Sequence, residues 1–467
     1  MWDLQRFSKS TAIICEDGTE LTYGELDTLQ RRCVLFVHQE RRLVFLIADN
    51  SLDSIILYIS CIQNKIPIML LEHSIRSSEI KGIIKAYHPS YIWAPNDYET
   101  IHNYLDYGVF RGYKLMISEE NEKAATINPK LALLLLTSGS TGSKKCVRIS
   151  YKNIEVNQNS IVKALEITQQ DRAMIMLPIC YSYGLSVVNS NLSVGATLLL
   201  PKTKLFGKEF WIFFDRNNGT SICGVPYTYE VLLKTGFISM KLKHLRLITQ
   251  AGGKLEEKWQ RQLLQYSQTN QVDIALMYGQ TEATARMSTF FLNRFPEKIN
   301  SVGKTIEGGE FRIEKPDQSG IGEVIYLGEN VSMGYADEIS DLSMEDENGQ
   351  KLYTGDMGYL DAEGFLYLIG RKKRIAKIHG YRINLMELEQ LLEKKSGVNV
   401  ICIENMEKII VCILKQSDYE SVLSACNLLN IDSRLLNIRV VKQIPRNSAG
   451  KVLYETLRKE ICVTNCY

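Results

Sequence analysis

A loop of small hydroxyl residues and glycines follows an apolar run in the first third of the chain, and its residue types suit it to hold an anion. The run Leu133–Leu136 is predicted to be a buried strand, and Thr137–Lys145 follows it directly. Glycines let backbone N–H groups turn inward, hydroxyls add donors, and a closing lysine adds a mobile positive charge. The loop does not fit the Gly-x-x-x-x-Gly-Lys-[Ser/Thr] pattern. These residues predict a polyphosphate site, and a plain surface loop is the alternative for the segment considered alone.

The size and composition of the chain are typical of a folded protein with more than one domain. At 467 residues it is too long for a single compact core, and 45% hydrophobic with 23% charged residues is ordinary for a globular protein. The formal net charge is only +2. This charge argues against nucleic acid or an anionic membrane as the main partner, because either would favour a strongly basic surface.

Cysteine, histidine and hydropathy patterns predict a cytoplasmic protein. The 11 cysteines are scattered and include no Cys-x-x-Cys pair, so we expect reduced, mostly buried thiols. The six histidines show no metal-ligand spacing. The first residues, Met1–Arg6, lack the apolar core of a signal peptide, and the most apolar stretch, Ile55–Leu71, is interrupted by polar residues. No membrane insertion is therefore expected.

Apolar runs alternate with helical patterns through the first 300 residues, and this alternation predicts the α/β class. Leu43–Ile47 and Ile66–Leu71 are predicted strands, with a helix over Ser54–Gln63 between them. Ser150 and Asn153 are predicted to cap a further helix. Later strands are predicted at Ala173–Leu177, Ala196–Leu200, Ser221–Val225, Leu245–Thr249 and Asp273–Met277. We expect parallel-rich sheets flanked by helices.

The C-terminal third changes character twice. Short strands punctuated by glycine between residues 300 and 370 predict a small β unit. A boundary is predicted near Gly370, so that 1–370 form a large N-terminal domain, 371–374 a hinge and 375–467 a small, mobile α+β C-terminal domain. For the basic run 371–374 taken alone, a solvated turn is the favoured explanation, ahead of a nucleic-acid patch or a localisation signal.

Five motifs occur along the chain in a fixed order, and together they resemble one family. They are Thr137–Lys145, Tyr278–Glu282, Tyr353–Asp356, Gly370–Arg371 with Lys377–Ile383, and Pro445–Lys451. In this order the chain resembles the adenylate-forming superfamily, which comprises acyl- and aryl-CoA synthetases, adenylation domains of peptide synthetases, and luciferases. Each motif alone is weak, whereas five in order are highly specific. The resemblance covers about Leu21 to Arg458.

The resemblance implies an ATP site assembled from most of these motifs. By resemblance, the site contains Thr137, Ser138, Gly139, Ser140, Thr141, Gly142, Lys145, Gly252, Gly253, Tyr278, Gly279, Gln280, Thr281, Asp356, Arg371 and Lys451. Tyr278 would offer its ring face to adenine, and Asp356 would accept hydrogen bonds from the ribose hydroxyls. Each residue alone has a simpler explanation, such as a core tyrosine at a strand end or a turn aspartate after glycine.

The reaction of the superfamily joins a carboxylate to the α-phosphorus of ATP and expels pyrophosphate, which implies three catalytic residues here. Thr281 would donate to the α-phosphate, Glu282 would bind Mg²⁺, and Lys451 would neutralise the carboxylate and the α-phosphate as they meet. Family members then rotate the C-terminal domain for thioester formation. The rotation would pivot at Arg374 and bring in the loop Lys377–Ile383.

The chain departs from the family pattern in the phosphate loop and at the hinge. The phosphate loop usually ends Pro-Lys-Gly, whereas this chain has Lys144-Lys145-Cys146, so Lys144 is an alternative to Lys145. The hinge position is usually aspartate, and the aligned residue here is Arg374.

The acid pocket is implied at Tyr181, Ser182, Tyr183 and Gly253. Members that activate amino acids carry an aspartate just after the aromatic residue aligned with Tyr181. Ser182 stands there in this chain, and a hydroxyl cannot pair with an α-ammonium as a carboxylate does. Other carboxylic acids therefore rank above α-amino acids. Nearby polar residues suggest a small or partly polar acyl group, and helix packing explains them equally well.

The favoured function is activation of a carboxylic acid to acyl-AMP with ATP and Mg²⁺, followed by transfer to a thiol. No carrier-domain signature follows Lys451, so the thiol would come in trans, from coenzyme A or an acyl carrier protein. The alternatives are an amino-acid ligase that loads a carrier protein in trans, a non-catalytic nucleotide-binding homologue, and a luciferase-like oxygenase. The presence of the catalytic set argues against the non-catalytic alternative.

Overall fold

Apolar runs of the sequence form the strands of two large sheets. The computed structural model describes residues 1–34, 41–75, 77–119, 126–136, 145–203, 205, 207–378, 381–405, 408–428, 436–446 and 452–463. These residues divide into two compact units. The first contains the described residues up to 136, from 145 to 310 and from 326 to 352, and the second contains those of 311–325 and from 353 onward.

The first large sheet contains nine strands among the described residues, and six neighbouring strands of it run parallel. In spatial order it consists of β16 (Lys304–Thr305), β15 (Ser288–Phe291), β14 (Asp273–Tyr278), β13 (Leu247–Gln250), β12 (Ser221–Gly224), β10 (Arg172–Met174), β11 (Thr197–Leu200), β1 (Thr11–Cys15) and β2 (Glu20–Thr22). The strands from β14 to β1 pair in parallel, and antiparallel strands extend both edges. The five predicted strands of this region are confirmed, each to within a few residues.

The second large sheet contains eight strands in the described part of the chain. Their order is β19 (Gly334–Ala336), β9 (Cys146–Ser150), β8 (Leu131–Leu136), β4 (Ile68–Glu72), β3 (Val44–Ala48), β5 (Tyr91–Pro95), β7 (Tyr113–Ser118) and β6 (Tyr104–Phe110). The central strands β8, β4, β3 and β5 are parallel, and their burial on both faces explains the unbroken apolar runs that encode them.

Eight helices of the first unit connect and cover these strands in the described ranges. They are α1 (Tyr23–Val34), α2 (Leu52–Gln63), α3 (Ser77–Tyr87), α4 (Tyr151–Ala164), α5 (Ser182–Ser193), α6 (Lys208–Arg216), α7 (Pro226–Lys234) and α8 (Glu257–Asn270). Helix α2 is buried on nearly every side and shares a core cluster with strands of both large sheets, including Ile13 and Leu46. The predicted α/β class, with parallel-rich sheets flanked by helices, is confirmed.

The N-terminus of helix α4 shows how the local sequence sets an element boundary. The Ser150 side chain accepts a hydrogen bond from the Asn153 backbone N–H at 3.0 Å, and the Asn153 side chain accepts one from the Ser150 N–H at 2.9 Å. This reciprocal capping box satisfies donors that the first helical turn cannot satisfy internally. The cap predicted from these two residues is therefore confirmed.

The second unit is built from smaller sheets. Most of a four-stranded sheet belongs to it, in the order β17 (Gly309–Glu314), β18 (Gly322–Gly328), β20 (Lys351–Leu360) and β21 (Leu366–Arg371). The elements that follow are β22 (Ile375–Ile378), β23 (Tyr381–Asn384), α9 (Leu385–Ser396), β24 (Ile401–Asn405), β25 (Lys408–Ile413), α10 (Tyr419–Leu428), β26 (Leu436–Val440) and α11 (Tyr454–Val463). Leu388, Val411 and Val422 belong to one buried cluster of this unit.

The basic run 371–374 is only in part the solvated turn that was favoured for it in isolation. Arg371 ends strand β21, and Lys372 forms an ion pair with Glu323 at 2.6 Å. Arg374 is largely buried and donates both terminal nitrogens to Glu389, at 2.8 and 3.1 Å. The solvated-turn interpretation therefore holds for Arg371 and Lys372, whose side chains are 55% and 60% exposed, and is wrong for Arg374, which packs against Glu389.

Arg374, the predicted hinge residue, is held by further contacts within the second unit. It donates to the Tyr454 hydroxyl at 2.8 Å and to the Cys402 carbonyl at 2.7 Å. Burial alone would lower the pKa of Arg374, but the Glu389 carboxylate raises it. Gly370 lies inside strand β21, and the two compact units divide near residue 353. The functional division at residues 370–374 remains a prediction.

Candidate functional site

Three neighbouring parallel strands end where several predicted ATP-site residues begin. Strands β12, β13 and β14 are in register, with Gly224 opposite Gln250 and Gln250 opposite Leu276. Gly252 and Gly253 follow the end of β13, and the predicted motif starts at Tyr278, the last residue of β14. Because ligands of open α/β sheets bind beyond the carboxyl ends of parallel strands, this edge is the expected place for a nucleotide.

The tight turn after β14 depends on Gly279. A Cβ atom at this position would lie 1.7 Å from the carbonyl oxygen of Ala285, so no larger residue fits without movement of the backbone. The next residues, Thr281–Ala283, form a single 3₁₀ turn, and Gln280 donates its side-chain amide to the Tyr278 hydroxyl at 3.3 Å. Tyr278 itself is largely buried, with 8% of its surface exposed.

The glycine pair after β13 forms a second turn at the same edge. Gly252 has a φ of +86°, a backbone conformation that favours glycine. The Gln250 side chain donates a hydrogen bond of 2.8 Å to the Gly253 carbonyl and fixes the turn from inside. Both glycines are exposed, so their backbone is open to a ligand, as the prediction for adenine and the acid requires.

A lysine and a glutamate of the predicted site meet at one tyrosine that the sequence interpretation did not select. The Lys145 ammonium lies 4.1 Å from the centre of the Tyr335 ring. The Tyr335 hydroxyl donates a hydrogen bond of 2.8 Å to Glu282 Oε1. Tyr335 reaches this position because β19 pairs with β9, which places it opposite Val147, two residues after Lys145. A cation–π contact and a charge-assisted hydrogen bond thus join Lys145 to Glu282 through Tyr335.

Three predicted acid-pocket residues, Tyr181–Tyr183, lie at the start of α5. Ser182 contacts another predicted site residue, and Tyr183 contacts the end of the neighbouring strand β13. Ser182 Oγ lies 3.3 Å from Thr281 Oγ1, so the acid-pocket prediction and the catalytic prediction converge there. The Tyr183 hydroxyl lies 2.9 Å from both the backbone carbonyl and the side-chain hydroxyl of Thr249. Burial raises the pKa of Tyr183, which keeps it neutral. Tyr181 instead donates to Glu72 Oε2 at 3.0 Å.

Two predicted ribose-site residues pair with each other in the second unit. Asp356 and Arg371 stand directly opposite across strands β20 and β21. Asp356 Oδ1 accepts from Arg371 Nε at 2.9 Å, and the aspartate side chain is only 7% exposed whereas that of Arg371 is 55% exposed. The pair offers a buried acceptor beside an exposed cation.

Seven predicted site residues lie outside the described residues. They are Lys451 and Thr137, Ser138, Gly139, Ser140, Thr141 and Gly142.

The donor set around Glu282 fits magnesium only with help from a ligand. Within the described ranges, no group of three or more His, Cys, Asp and Glu side chains could hold a metal ion. Mg²⁺ commonly binds through one or two carboxylates, with water and substrate phosphates completing its shell. The single carboxylate of Glu282 is consistent with that mode.

Nine cysteines of the described ranges are free and buried, and their burial agrees with the prediction for the thiols.

Comparison with known proteins decides the family. The model of the AMP-binding enzyme family matches residues 2–336. The chain belongs to the AMP-binding enzyme family. This match covers more than two thirds of the chain and contains both large sheets and the turn after β14. The predicted adenylate-forming membership, and with it the prediction of an enzyme of that class, is confirmed.

Individual relatives of this AMP-binding enzyme are similar over long stretches. The 2-succinylbenzoate–CoA ligase of Oceanobacillus iheyensis is 24% identical over 476 residues, which cover 96% of each chain. The oxalate–CoA ligase of Arabidopsis thaliana is 30% identical over 274 residues, covering 56% of this chain and 52% of that one. The chain is thus similar to named CoA ligases.

Solved structures share the fold. The O-succinylbenzoate coenzyme A synthetase from Bacillus subtilis, in complex with AMP, gives a TM-score of 0.78 at 22% identity and covers 97% of this chain and 96% of that one. The same synthetase in complex with ATP and a magnesium ion gives 0.76 at 21% identity, with 97% and 98% covered. These similarities confirm the predicted fold class. No helix in the described ranges is long and apolar enough to cross a membrane.

Proposed function

We propose that this AMP-binding enzyme activates a carboxylic acid with ATP and passes the acyl group to the thiol of coenzyme A. The observation that carries the proposal is that Lys145 and Glu282 both contact Tyr335. The chain in which they do so belongs to the AMP-binding enzyme family. A cation and a carboxylate that contact the same tyrosine suit a polyphosphate with its magnesium ion. The relatives named as CoA ligases support the choice of acceptor.

The proposed reaction has two steps. A carboxylate oxygen of the acid attacks the α-phosphorus of ATP, the bond to the bridging oxygen of the β-phosphate breaks, and pyrophosphate leaves. The thiol sulfur then attacks the acyl carbon, AMP leaves with the bonding electrons, and the thiol proton passes to solvent. A solved relative is described as a complex with the acyl-adenylate intermediate, which supports this order.

The first unit would bind the reacting phosphates. Lys145 would contact the β- and γ-phosphates, and Thr281, fixed by the 3₁₀ turn, would donate to the α-phosphate. Glu282 would hold Mg²⁺ through a carboxylate oxygen, and the bound ion would neutralise phosphate charge. Tyr335 would position both charged side chains, since its ring faces one and its hydroxyl bonds the other.

The second unit would contribute the ribose contacts and the mobile lysine. Asp356, held beside Arg371, would accept from the ribose hydroxyls. Lys451 would neutralise the carboxylate and the α-phosphate during the first step. A rotation at Arg374 would then remove Lys451 before the thioester forms. The division into 1–370, 371–374 and 375–467 belongs to this proposal.

Coenzyme A is proposed as the acceptor, with an acyl carrier protein supplied in trans as the competing acceptor. An α-amino acid substrate is less well supported, because Ser182 offers a hydroxyl beside Thr281 rather than a carboxylate. A cytoplasmic location and the absence of a nucleic-acid partner are also proposed, the latter from a net charge of only +2.

The first experiment is acid-dependent exchange of labelled pyrophosphate into ATP in the presence of Mg²⁺. The panel would contain short, branched, aryl, hydroxy, dicarboxylic and amino acids. We expect exchange with one class, and thioester formation when coenzyme A is added. Exchange without thioester on coenzyme A, but with acylation of a carrier protein, would replace the proposed acceptor. Absence of exchange with every acid would overturn the function.

A further inference from the structure

A buried arginine lies beside the predicted acid pocket and has no acidic partner. Arg286 precedes strand β15 and is 3% exposed. Its backbone is fixed by hydrogen bonds, because its N–H donates to Asn157 Oδ1 at 3.2 Å and its carbonyl accepts from the side-chain amides of Asn157 and Asn330, at 2.8 and 2.9 Å. The side-chain Nε is buried without a hydrogen-bond partner. Among the described residues, Arg286 forms no ion pair.

The guanidinium borders a small cavity inside the first unit. The cavity has a volume of about 30 Å³, and its lining includes Arg286, Tyr183, Ser186, Cys223 and Thr249. The Arg286 guanidinium carbon lies 4.7 Å from the centre of the Tyr183 ring. Such a volume holds about two water molecules, which is also roughly the size of one carboxylate group.

The acidic residue on the cavity wall is already neutralised. Asp171 accepts from Arg246 at two positions, each 2.6 Å long, and from the Thr220 hydroxyl at 2.8 Å. Burial by itself would raise the pKa of Asp171, but the hydrogen bonds and the charge of Arg246 outweigh it and hold that pKa below its usual value. Asp171 therefore forms its ion pair with Arg246 and does not compensate the charge of Arg286.

An uncompensated buried guanidinium is costly, and the face of one tyrosine offsets only part of the cost. Burial lowers the pKa of Arg286, yet an arginine remains charged at neutral pH. Its planar set of N–H donors matches the two oxygens of a carboxylate. An anion that arrives with the substrate would supply the missing partner.

The cavity adjoins the predicted acid pocket at Tyr183. Tyr183, one of the predicted acid-pocket residues, lines the cavity together with Ser186 of the same helix and Cys223 of β12. We propose that the acid activated by this enzyme carries a second carboxylate, remote from the one that is adenylated, and that Arg286 binds this second carboxylate inside the cavity. The substrate class is thus a dicarboxylic acid, and this inference rests on the proposed function.

The first test uses the unaltered enzyme and pairs of matched acids. Short aliphatic and aryl dicarboxylic acids would be compared with their monomethyl esters in the pyrophosphate exchange assay. The ester adds only one methyl group to the acid and removes one negative charge. We expect kcat/KM to be about 10²-fold higher for the diacid, as for a buried charge pair that loses one partner.

The second test alters the arginine. Arg286→Gln is expected to lower kcat/KM for the diacid about 10²-fold while leaving KM for ATP unchanged, and to bring the diacid and its monoester to similar values. Arg286→Lys is expected to recover part of the preference. Arg216→Gln, an exposed arginine of α6, is the matched control and should retain the preference of the unaltered enzyme.

The possible outcomes separate the two proposals. Exchange that favours monoesters or simple monoacids in the unaltered enzyme would overturn the dicarboxylate inference and leave acid activation standing. A diacid preference that survives Arg286→Gln would also overturn it. Exchange with neither acid of any pair would overturn the proposed function itself. The comparison in the unaltered enzyme decides the inference even if Arg286→Gln fails to fold.

Discussion

Tyr335 contacts two charged residues of the predicted nucleotide site, Lys145 and Glu282. It stands 53 residues after Glu282 and donates its hydroxyl to that carboxylate, while its ring faces Lys145. A hydroxyl bonded to a carboxylate fixes the orientation of the carboxylate oxygens. In the proposed function, this contact would orient Glu282 for a magnesium ion.

We predict that Tyr335→Phe lowers the rate of pyrophosphate exchange about tenfold, because one hydrogen bond to a charged group is lost. The phenylalanine keeps the ring beside Lys145. Because the lost hydrogen bond is the one to Glu282, the proposed Mg²⁺ ligand, raising the Mg²⁺ concentration should recover part of the rate. A titration of exchange rate against Mg²⁺ measures both effects. Tyr107→Phe, an exposed tyrosine of β6, is the control, and equal losses in both variants would contradict the positioning role.

Asp356 gives a second prediction for a single residue. Its carboxylate is buried beside the exposed Arg371, and we propose that it binds the ribose. Asp356→Ala is expected to raise KM for ATP by at least about tenfold, since a buried charged acceptor is removed, with a smaller effect on KM for the acid. Steady-state exchange with each substrate varied in turn gives both constants. An unchanged KM for ATP would exclude Asp356 from the nucleotide site.

At the scale of elements, the turn after β14 is the most constrained part of the site. Thr281 and Glu282 lie two and three residues after Gly279, where a Cβ atom would collide with the Ala285 carbonyl. The polar residues of the motif therefore hold their positions because the backbone can approach itself closely at one glycine.

We predict that Gly279→Ala destabilises the protein by about 3 kcal/mol, as overpacking does, and abolishes exchange by displacing the turn. Thermal unfolding and exchange measured on the same sample test this together. Gly320→Ala is the control, because a Cβ atom there meets no atom within 4 Å. It should cost only about 1 kcal/mol for its left-handed backbone and leave exchange intact. Full activity of Gly279→Ala would remove the steric argument.

At the scale of the whole molecule, the proposed two-step reaction needs two arrangements of the C-terminal part. Arg374 ends a short segment after β21 and is anchored to Glu389 and Tyr454 within the second unit. A pivot at this residue would therefore carry its anchoring contacts along with the rotating unit. The rotation itself remains a proposal.

We predict that Lys451→Ala lowers adenylate formation about 10²- to 10³-fold, the usual loss when one group that stabilises developing charge is removed. Thioester formation from preformed acyl-adenylate should change little, because the proposed rotation has carried Lys451 away by then. Single-turnover measurements of each step, with purified acyl-adenylate supplied in the second, separate the two. Equal losses in both steps would contradict the two-arrangement proposal.

The sequence by itself determined the local elements and the family. Strand and helix positions followed from hydrophobic periodicity, and the start of α4 followed from Ser150 and Asn153, because both depend on neighbours within a few residues. The motif order identified the adenylate-forming class, which the AMP-binding family match confirms. The turn at Gly279 was also selected as part of the motif Tyr278–Glu282, although its steric cause was not.

Only the tertiary structure decided which distant side chains meet. Tyr335 carries no local sign that it will contact Lys145 and Glu282, since the contact depends on the pairing of β19 with β9. The same holds for Arg374, which was expected in a solvated turn and is paired with Glu389. Arg286 was not selected from sequence at all, because a lone arginine is most often a surface residue. Burial and charge pairing arise from contacts between elements far apart in the chain, and local sequence patterns do not encode them.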